Sequence, residues 1–223
     1  MRYVRYGIYF TPNKGPLAAA GAAWLGWDLV AGQECTPVGG QLTERPRRYG
    51  FHATLKAPFH LADGASAEAL AKATSALAEA LSPVALHGVE INKLGSFLAL
   101  TPSGDPTALR AFAKRVVIEL DTFRAPLSEA ERARKIRPNM HPDLRANLEQ
   151  FGYPHVLDRF NFHMTLTGPL NEVQTTDAIA KAAAHFDDKI PNPLMLDSLT
   201  LVGENTDGHF KEIERFPVGQ RAE

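Results

Sequence analysis

Two histidines stand in strings that repeat one another, Arg48-Tyr-Gly-Phe-His-Ala-Thr-Leu-Lys-Ala-Pro58 and Arg159-Phe-Asn-Phe-His-Met-Thr-Leu-Thr-Gly-Pro169, one in each half of a 223-residue chain. Both strings alternate with period two, as a half-buried strand does. Phe51, Ala53 and Leu55 fall on one face and Arg48, His52, Thr54 and Lys56 on the other. In the second copy Phe162, Met164 and Leu166 oppose Arg159, Asn161, His163, Thr165 and Thr167. The groups capable of acid–base chemistry therefore share the polar face in both copies. A neutral imidazole can take a proton while a protonated one gives a proton, and an ordinary pKa near 6.5 lets both forms exist near neutrality. With Thr54 and Thr165 to hydrogen-bond the non-bridging oxygens, where charge develops, the set suits attack on a phosphodiester.

Other residues near the motifs add charge or shape. Arg48 and Arg159 share the polar parity but lie four residues back, some 13 Å along a strand, which predicts a place at the cleft rim. Lys56 is expected at the rim too, contributing to one side only because Thr167 replaces it in the second copy. Tyr153 and His155, shortly before the second motif, are candidates for the cleft lining. Zinc takes three or four protein ligands, and neither motif has an adjacent Cys, Asp or Glu, so no metal and no cofactor are expected. The remaining histidines, His60, His87, His141, His185 and His209, have no repeated context. No GxGxxG, GxxxxGK[ST], GxSxG or HExxH string occurs.

Composition narrows the substrate. Lys and Arg number 24 against 25 Asp and Glu, so the net charge is −1, which argues against holding a long nucleic acid by bulk electrostatics. An anionic substrate must be met locally, by Arg45, Arg47 and Arg48 before the first motif or by Arg132, Arg134, Lys135 and Arg137 in mid-chain. The single cysteine, Cys35, excludes an internal disulfide framework and fits a reducing cytoplasm. No apolar stretch is long enough to span a bilayer, and the Met1-Arg-Tyr-Val-Arg opening lacks a leader's apolar run. A cytoplasmic monomer with no membrane partner is expected.

The elements that must position the motifs also repeat. A strand at 3–10, a short helix at 17–25 and a loop to about Pro46 precede the first motif strand; a helix at 66–81 and a strand at 84–91 follow it. The second unit runs through a strand at 97–101, a helix at 107–120, and a connection at 121–158 holding a helix near 143–151. The motif strand, a helix at 175–186, and strands near 194–202 and 210–216 complete it. The reading is an α/β protein of two pseudo-symmetric units, 1–93 with its motif at 52–55 and 94–223 with its motif at 163–166, whose halves face one another across a cleft.

His52-Ala-Thr-Leu and His163-Met-Thr-Leu resemble the paired His-x-Thr/Ser-x motifs of the 2H phosphoesterase superfamily, which includes 2′,3′-cyclic nucleotide phosphodiesterases and bacterial 2′-5′ RNA ligases. The context around them, Arg47-Arg-Tyr-Gly-Phe-His-Ala-Thr-Leu-Lys-Ala-Pro-Phe59, with the opening Arg5-Tyr-Gly-Ile-Tyr-Phe10 and Gly152-Tyr-Pro154, resembles a branch of bacterial proteins encoded beside carbon–phosphorus lyase genes and grouped with phosphonate metabolism. The resemblance implies a bilobal fold with two antiparallel-rich sheets facing a central cleft, helices outside, and one motif per lobe. It implies that His52 and His163 are the catalytic pair and Thr54 and Thr165 the phosphate contacts, without metal. The expected activity is opening of a small cyclic phosphate, on a nucleotide or a sugar, to a phosphomonoester. RNA-end processing and a non-catalytic nucleotide- or RNA-binding role are the alternatives.

Overall fold

The computed structural model describes residues 3–219, so the first two residues of the first unit and the last four of the second lie outside the described residues. In chain order the strands are β1 (Tyr6–Phe10), β2 (Trp27–Asp28), β3 (Gln33–Glu34), β4 (Ala53–Phe59), β5 (Val84–Leu86), β6 (Glu90–Leu94), β7 (Phe97–Thr101), β8 (Met164–Thr165), β9 (Leu194–Leu196), β10 (Ser198–Glu204) and β11 (Phe210–Pro217). The helices are α1 (Pro16–Leu25), α2 (Glu44–Arg47), α3 (Ala67–Glu79), α4 (Thr107–Glu119), α5 (Glu129–Lys135), α6 (Pro142–Phe151) and α7 (Glu172–Phe186).

Local chemistry sets most boundaries. Pro16 opens α1 with its φ already helical, and Gly26 at φ 82° closes it in the left-handed conformation. Ser66 caps α3 through Ala69 N–H. Reciprocal side-chain and backbone bonds cap α5 (Ser128 with Glu131) and α7 (Asn171 with Gln174). The expected strand at 84–91 is two strands, because Gly88 turns the chain at φ 56° between β5 and β6. Helix α5 is not evident from periodicity: all seven of its residues are polar or Ala, and none is buried.

Seven strands form one antiparallel sheet in the order β11-β10-β1-β4-β8-β7-β6. The mixed α/β class and the antiparallel pairing are as expected. The two expected sheets, however, are joined edge to edge at their centre by a single residue pair, Ala53↔Met164 of β4 and β8. Nor do the halves of the sheet follow the division at residue 93. Strand β6 from the first unit pairs with β7, while β10 from the end of the chain pairs with β1 and carries β11 on its outer side. The β5–β9 pair ties the crossing segments together.

One sheet face carries the main core, where Ile8, Phe10, Ala53, Leu55, Met164, Leu166, Leu98 and Leu201 pack under side chains of α1, α3, α4 and α7. Burial on this face is the main force holding the motif strands in place. The opposite face carries a smaller cluster of Tyr9, Val202 and Phe210, covered by Trp27 and Leu29 from around the β2–β3 hairpin. No helix among the described residues is long and apolar enough to cross a membrane.

Candidate active site

The register at the centre of the sheet assembles the site. With Ala53 opposite Met164, continuing the antiparallel pairing by one residue each way sets His52 opposite Thr165 and Thr54 opposite His163. All four project from the face that Ala53 and Met164 do not share, and all four are half-buried. Diagonal neighbours on such a ladder lie roughly 7–8 Å apart, so one phosphate group can reach both imidazoles and both hydroxyls.

Each histidine is held by the same device. Nδ1–H of His52 donates to the Gly50 carbonyl at 2.9 Å, and Nδ1–H of His163 donates to the Asn161 carbonyl at 2.9 Å. A carbonyl only accepts, so the proton is fixed on Nδ1 and Nε2 is the nitrogen free to exchange protons. In the first copy Nε2 already has a partner, accepting the Thr54 hydroxyl at 3.0 Å. Gly50 sits at φ 70°, a conformation that glycine adopts without strain, and a Cβ there would meet Leu29 Cβ at 2.8 Å.

The surroundings of the two rings differ. Tyr9, opposite Thr54 in β1, stacks face to face on His52 with ring centroids 3.8 Å apart and planes 18° from parallel. Burial is the main force pushing His52 down from 6.5 to about 4; the Gly50 hydrogen bond opposes it and the charge of His163 adds to it. The register equivalent of Tyr9 in the second copy is Ala99, opposite Thr165, which offers no ring; there Phe97 approaches His163 at 5.9 Å instead. Tyr49 stands 6.4 Å from His52. Its importance and that of Tyr9 could not be read from the motif strings, since both depend on cross-strand register and on the turn before β4.

Several residues on the expected polar face lie elsewhere. Lys56 is a correction: it is buried, and its ammonium donates to Asp121 at 2.7 Å and to the Val117 carbonyl at 3.1 Å under α4. The cause is a β-bulge, because β1 advances one residue from Tyr9 to Ile8 while β4 advances two from Thr54 to Lys56. The extra residue turns Lys56 to the core face with Ile8. Arg48 and Arg159 are not on strands either, since α2 and a 3-10 turn at Leu157–Arg159 precede the motif strands. The exposed Arg48 lies 4.6 Å over the Tyr49 ring and donates to its hydroxyl. Arg159 is engaged with Asp143 at 2.5 Å. Arg47 is tied to the carbonyls of Leu25 and Gly40, and Arg132 to Glu149. Tyr153 is half-buried, 5.8 Å from the His155 ring.

The chain is similar to several known proteins. A crystal structure of E. coli LigT complexed with 3′-AMP aligns with 98% of this chain and all of that one, at 17% identity and a TM-score of 0.43. A protein of Janthinobacterium sp. (strain Marseille) described as ribose 1,5-bisphosphate phosphokinase PhnN is 36% identical over 234 residues, covering 98% of this chain and 52% of that protein. One of Laribacter hongkongensis (strain HLHK9) with the same description is 32% identical over 205 residues, covering 86% of this chain and 46% of that one. The chain thus spans about half the length of the curated relatives it matches. Residues 54–211, well over half of the chain and including the second motif, match the family described as "Protein of unknown function (DUF1045)", and the chain belongs to that family.

Proposed function

We propose that this chain is a 2H-type cyclic phosphodiesterase, opening a small 2′,3′- or sugar cyclic phosphate to a phosphomonoester by acid–base catalysis at His52 and His163. The observation that carries this reading is the β4–β8 register, which sets two His-x-Thr pairs on one face with both Nδ1 atoms pinned by backbone carbonyls. The depressed pKa makes His52 the base, since it is neutral throughout the physiological range. Its Nε2 takes a proton from water as the water oxygen bonds to phosphorus. On the opposite side the ring P–O bond breaks, and the departing oxygen takes the proton from Nε2 of a protonated His163. One water is consumed, and the two histidines end with their protonation states exchanged, to be reset through solvent. Thr54, released from His52 when a phosphate arrives, and Thr165 donate to the non-bridging oxygens.

The kinase activity in the relatives' description does not come with the similarity. This chain has no GxxxxGK[ST] phosphate cradle and matches only about half of each relative. Their described substrate does make a phosphorylated pentose the sugar to test first. The test is turnover of a panel of nucleoside and pentose cyclic phosphates, with 31P NMR locating the phosphate in the product. Ring opening of at least one member supports the reading, and no turnover across the panel sinks it. Preference of more than about tenfold for a cyclic-phosphate oligoribonucleotide, collapsing between about 50 and 200 mM salt, supports RNA-end processing instead.

A further inference from the structure

The long connection between α4 and the second motif builds a pocket that the histidine chemistry does not use. Residues from the end of α5 through the start of α6, with Tyr153, Pro154 and His155, enclose about 620 Å³. That volume lies within the range of small-molecule sites. Three cationic side chains, Arg134, Lys135 and Arg137, stand in its lining, beside the imidazoles of His141 and His155. Arg134 and Arg137 are exposed and have no carboxylate partner among the described residues, whereas neighbouring Arg132 and Arg159 are neutralised by Glu149 and Asp143. Lys135 is fixed at the wall, donating to the Gly152 carbonyl at 2.8 Å.

This pocket lies along the segment that leads into the second motif. His141, in its lining, is 3.3 Å from the guanidinium of Arg159, four residues before His163, and Tyr153 and His155 of the lining belong to the same run of chain.

We propose that the pocket is a second anion subsite, in which Arg134, Lys135 and Arg137 hold the distal phosphomonoester of a small sugar whose cyclic phosphate is engaged by His52 and His163. The assignment rests on the phosphodiesterase reading and makes the substrate doubly phosphorylated. Two unpaired guanidiniums and a fixed ammonium suit a dianionic phosphate. The chain's net charge of −1 means that this recognition is local.

Binding of ribose 5-phosphate, followed by calorimetry at about 50 mM salt, tests the subsite without any turnover, so its outcome is separate from that of the activity panel. The proteins are the unsubstituted chain, the R134Q/R137Q double variant and the H52A/H163A double variant, with ribose as the uncharged control. The unsubstituted chain should bind ribose 5-phosphate and not ribose. R134Q/R137Q should weaken binding at least tenfold, and H52A/H163A should stay within about threefold. The proposal is overturned if the unsubstituted chain fails to bind, if R134Q/R137Q binds equally well, or if binding is lost in H52A/H163A, which would put the phosphate at the histidines. It is overturned as well if a 5′-phosphorylated oligoribonucleotide binds more than about tenfold tighter than ribose 5-phosphate, since the pocket would then serve a nucleic-acid end.

Discussion

His52 and His163 share a sequence pattern, a strand position and a backbone anchor, yet only His52 lies under a stacked ring. Tyr9 buries it, and Ala99 cannot do the same for His163. A base must be neutral to work, so activity is retained above its pKa and lost as the pH falls through it. The acid limb of log(kcat/KM) should therefore lie near pH 4, where burial puts His52, and Tyr9→Ala should move it toward 6.5. A limb at 6.5 in the unsubstituted protein would assign the base elsewhere. Lys56 makes the contrasting case. Strict alternation puts it among the site residues, but the one-residue bulge after Thr54, invisible in a sequence, reverses its direction. Burial tends to raise the pKa of its partner Asp121, yet the bonds from Arg124 and Lys56 outweigh burial and hold that carboxyl below its ordinary value. The pair's contribution is thus present above about pH 4, near the ordinary carboxylate pKa, and lost as pH falls through the depressed value. Lys56→Met should lower unfolding stability by about 3 kcal/mol at pH 7, measured by urea denaturation, because it removes one partner of a buried pair. An unchanged midpoint would mean that Arg124 alone satisfies Asp121.

Helix α1 connects the two motifs at the element scale. Gly21 packs against the Phe51 ring so closely that a Cβ would fall 1.9 Å from Cδ1, while one turn on, Trp24 Nε1–H donates to the Leu166 carbonyl at 2.8 Å. The same helix thus seats the residue before His52 and the strand after His163. Gly21→Ala should push Phe51 and the His52 backbone out of place, cutting kcat at least tenfold and lowering the melting temperature. Gly50→Ala meets Leu29 and strains the φ 70° turn whose carbonyl orients His52. It should reduce activity as much as loss of the histidine's orientation allows while leaving His163 anchored, and full activity in both variants would contradict this positioning scheme. The buried faces of the motif strands were legible, since Phe51, Ala53, Leu55, Phe162, Met164 and Leu166 are all buried. So were α1, α3, α4 and α7, whose patterns and capping residues are local. Helix α5 was not, because nothing apolar on it repeats.

Across the molecule, the duplication is visible in sequence but the pairing is not. Strand β6 at one edge and the β10–β11 pair at the other lie on opposite halves from their own units, which single-sequence reading cannot tell because strand partners are chosen by tertiary packing. That exchange makes the two halves one cooperative sheet, so urea unfolding followed by tryptophan fluorescence and by circular dichroism should give coincident transitions; two separated ones would show that the halves unfold independently. The motif strands supply no carboxylate or thiolate to the site, and EDTA dialysis should leave the rate unchanged, whereas loss restored by one divalent ion would call for a metal mechanism. The most direct measurement of the central claim is turnover of a cyclic phosphate by the unsubstituted chain, H52A, H163A and the double variant, with the product's phosphate located by 31P NMR. The account predicts a ring-opened phosphomonoester, a loss of about 10²- to 10⁴-fold in each single variant, and a double variant far less impaired than the product of the two losses. Full activity in either single variant would contradict it.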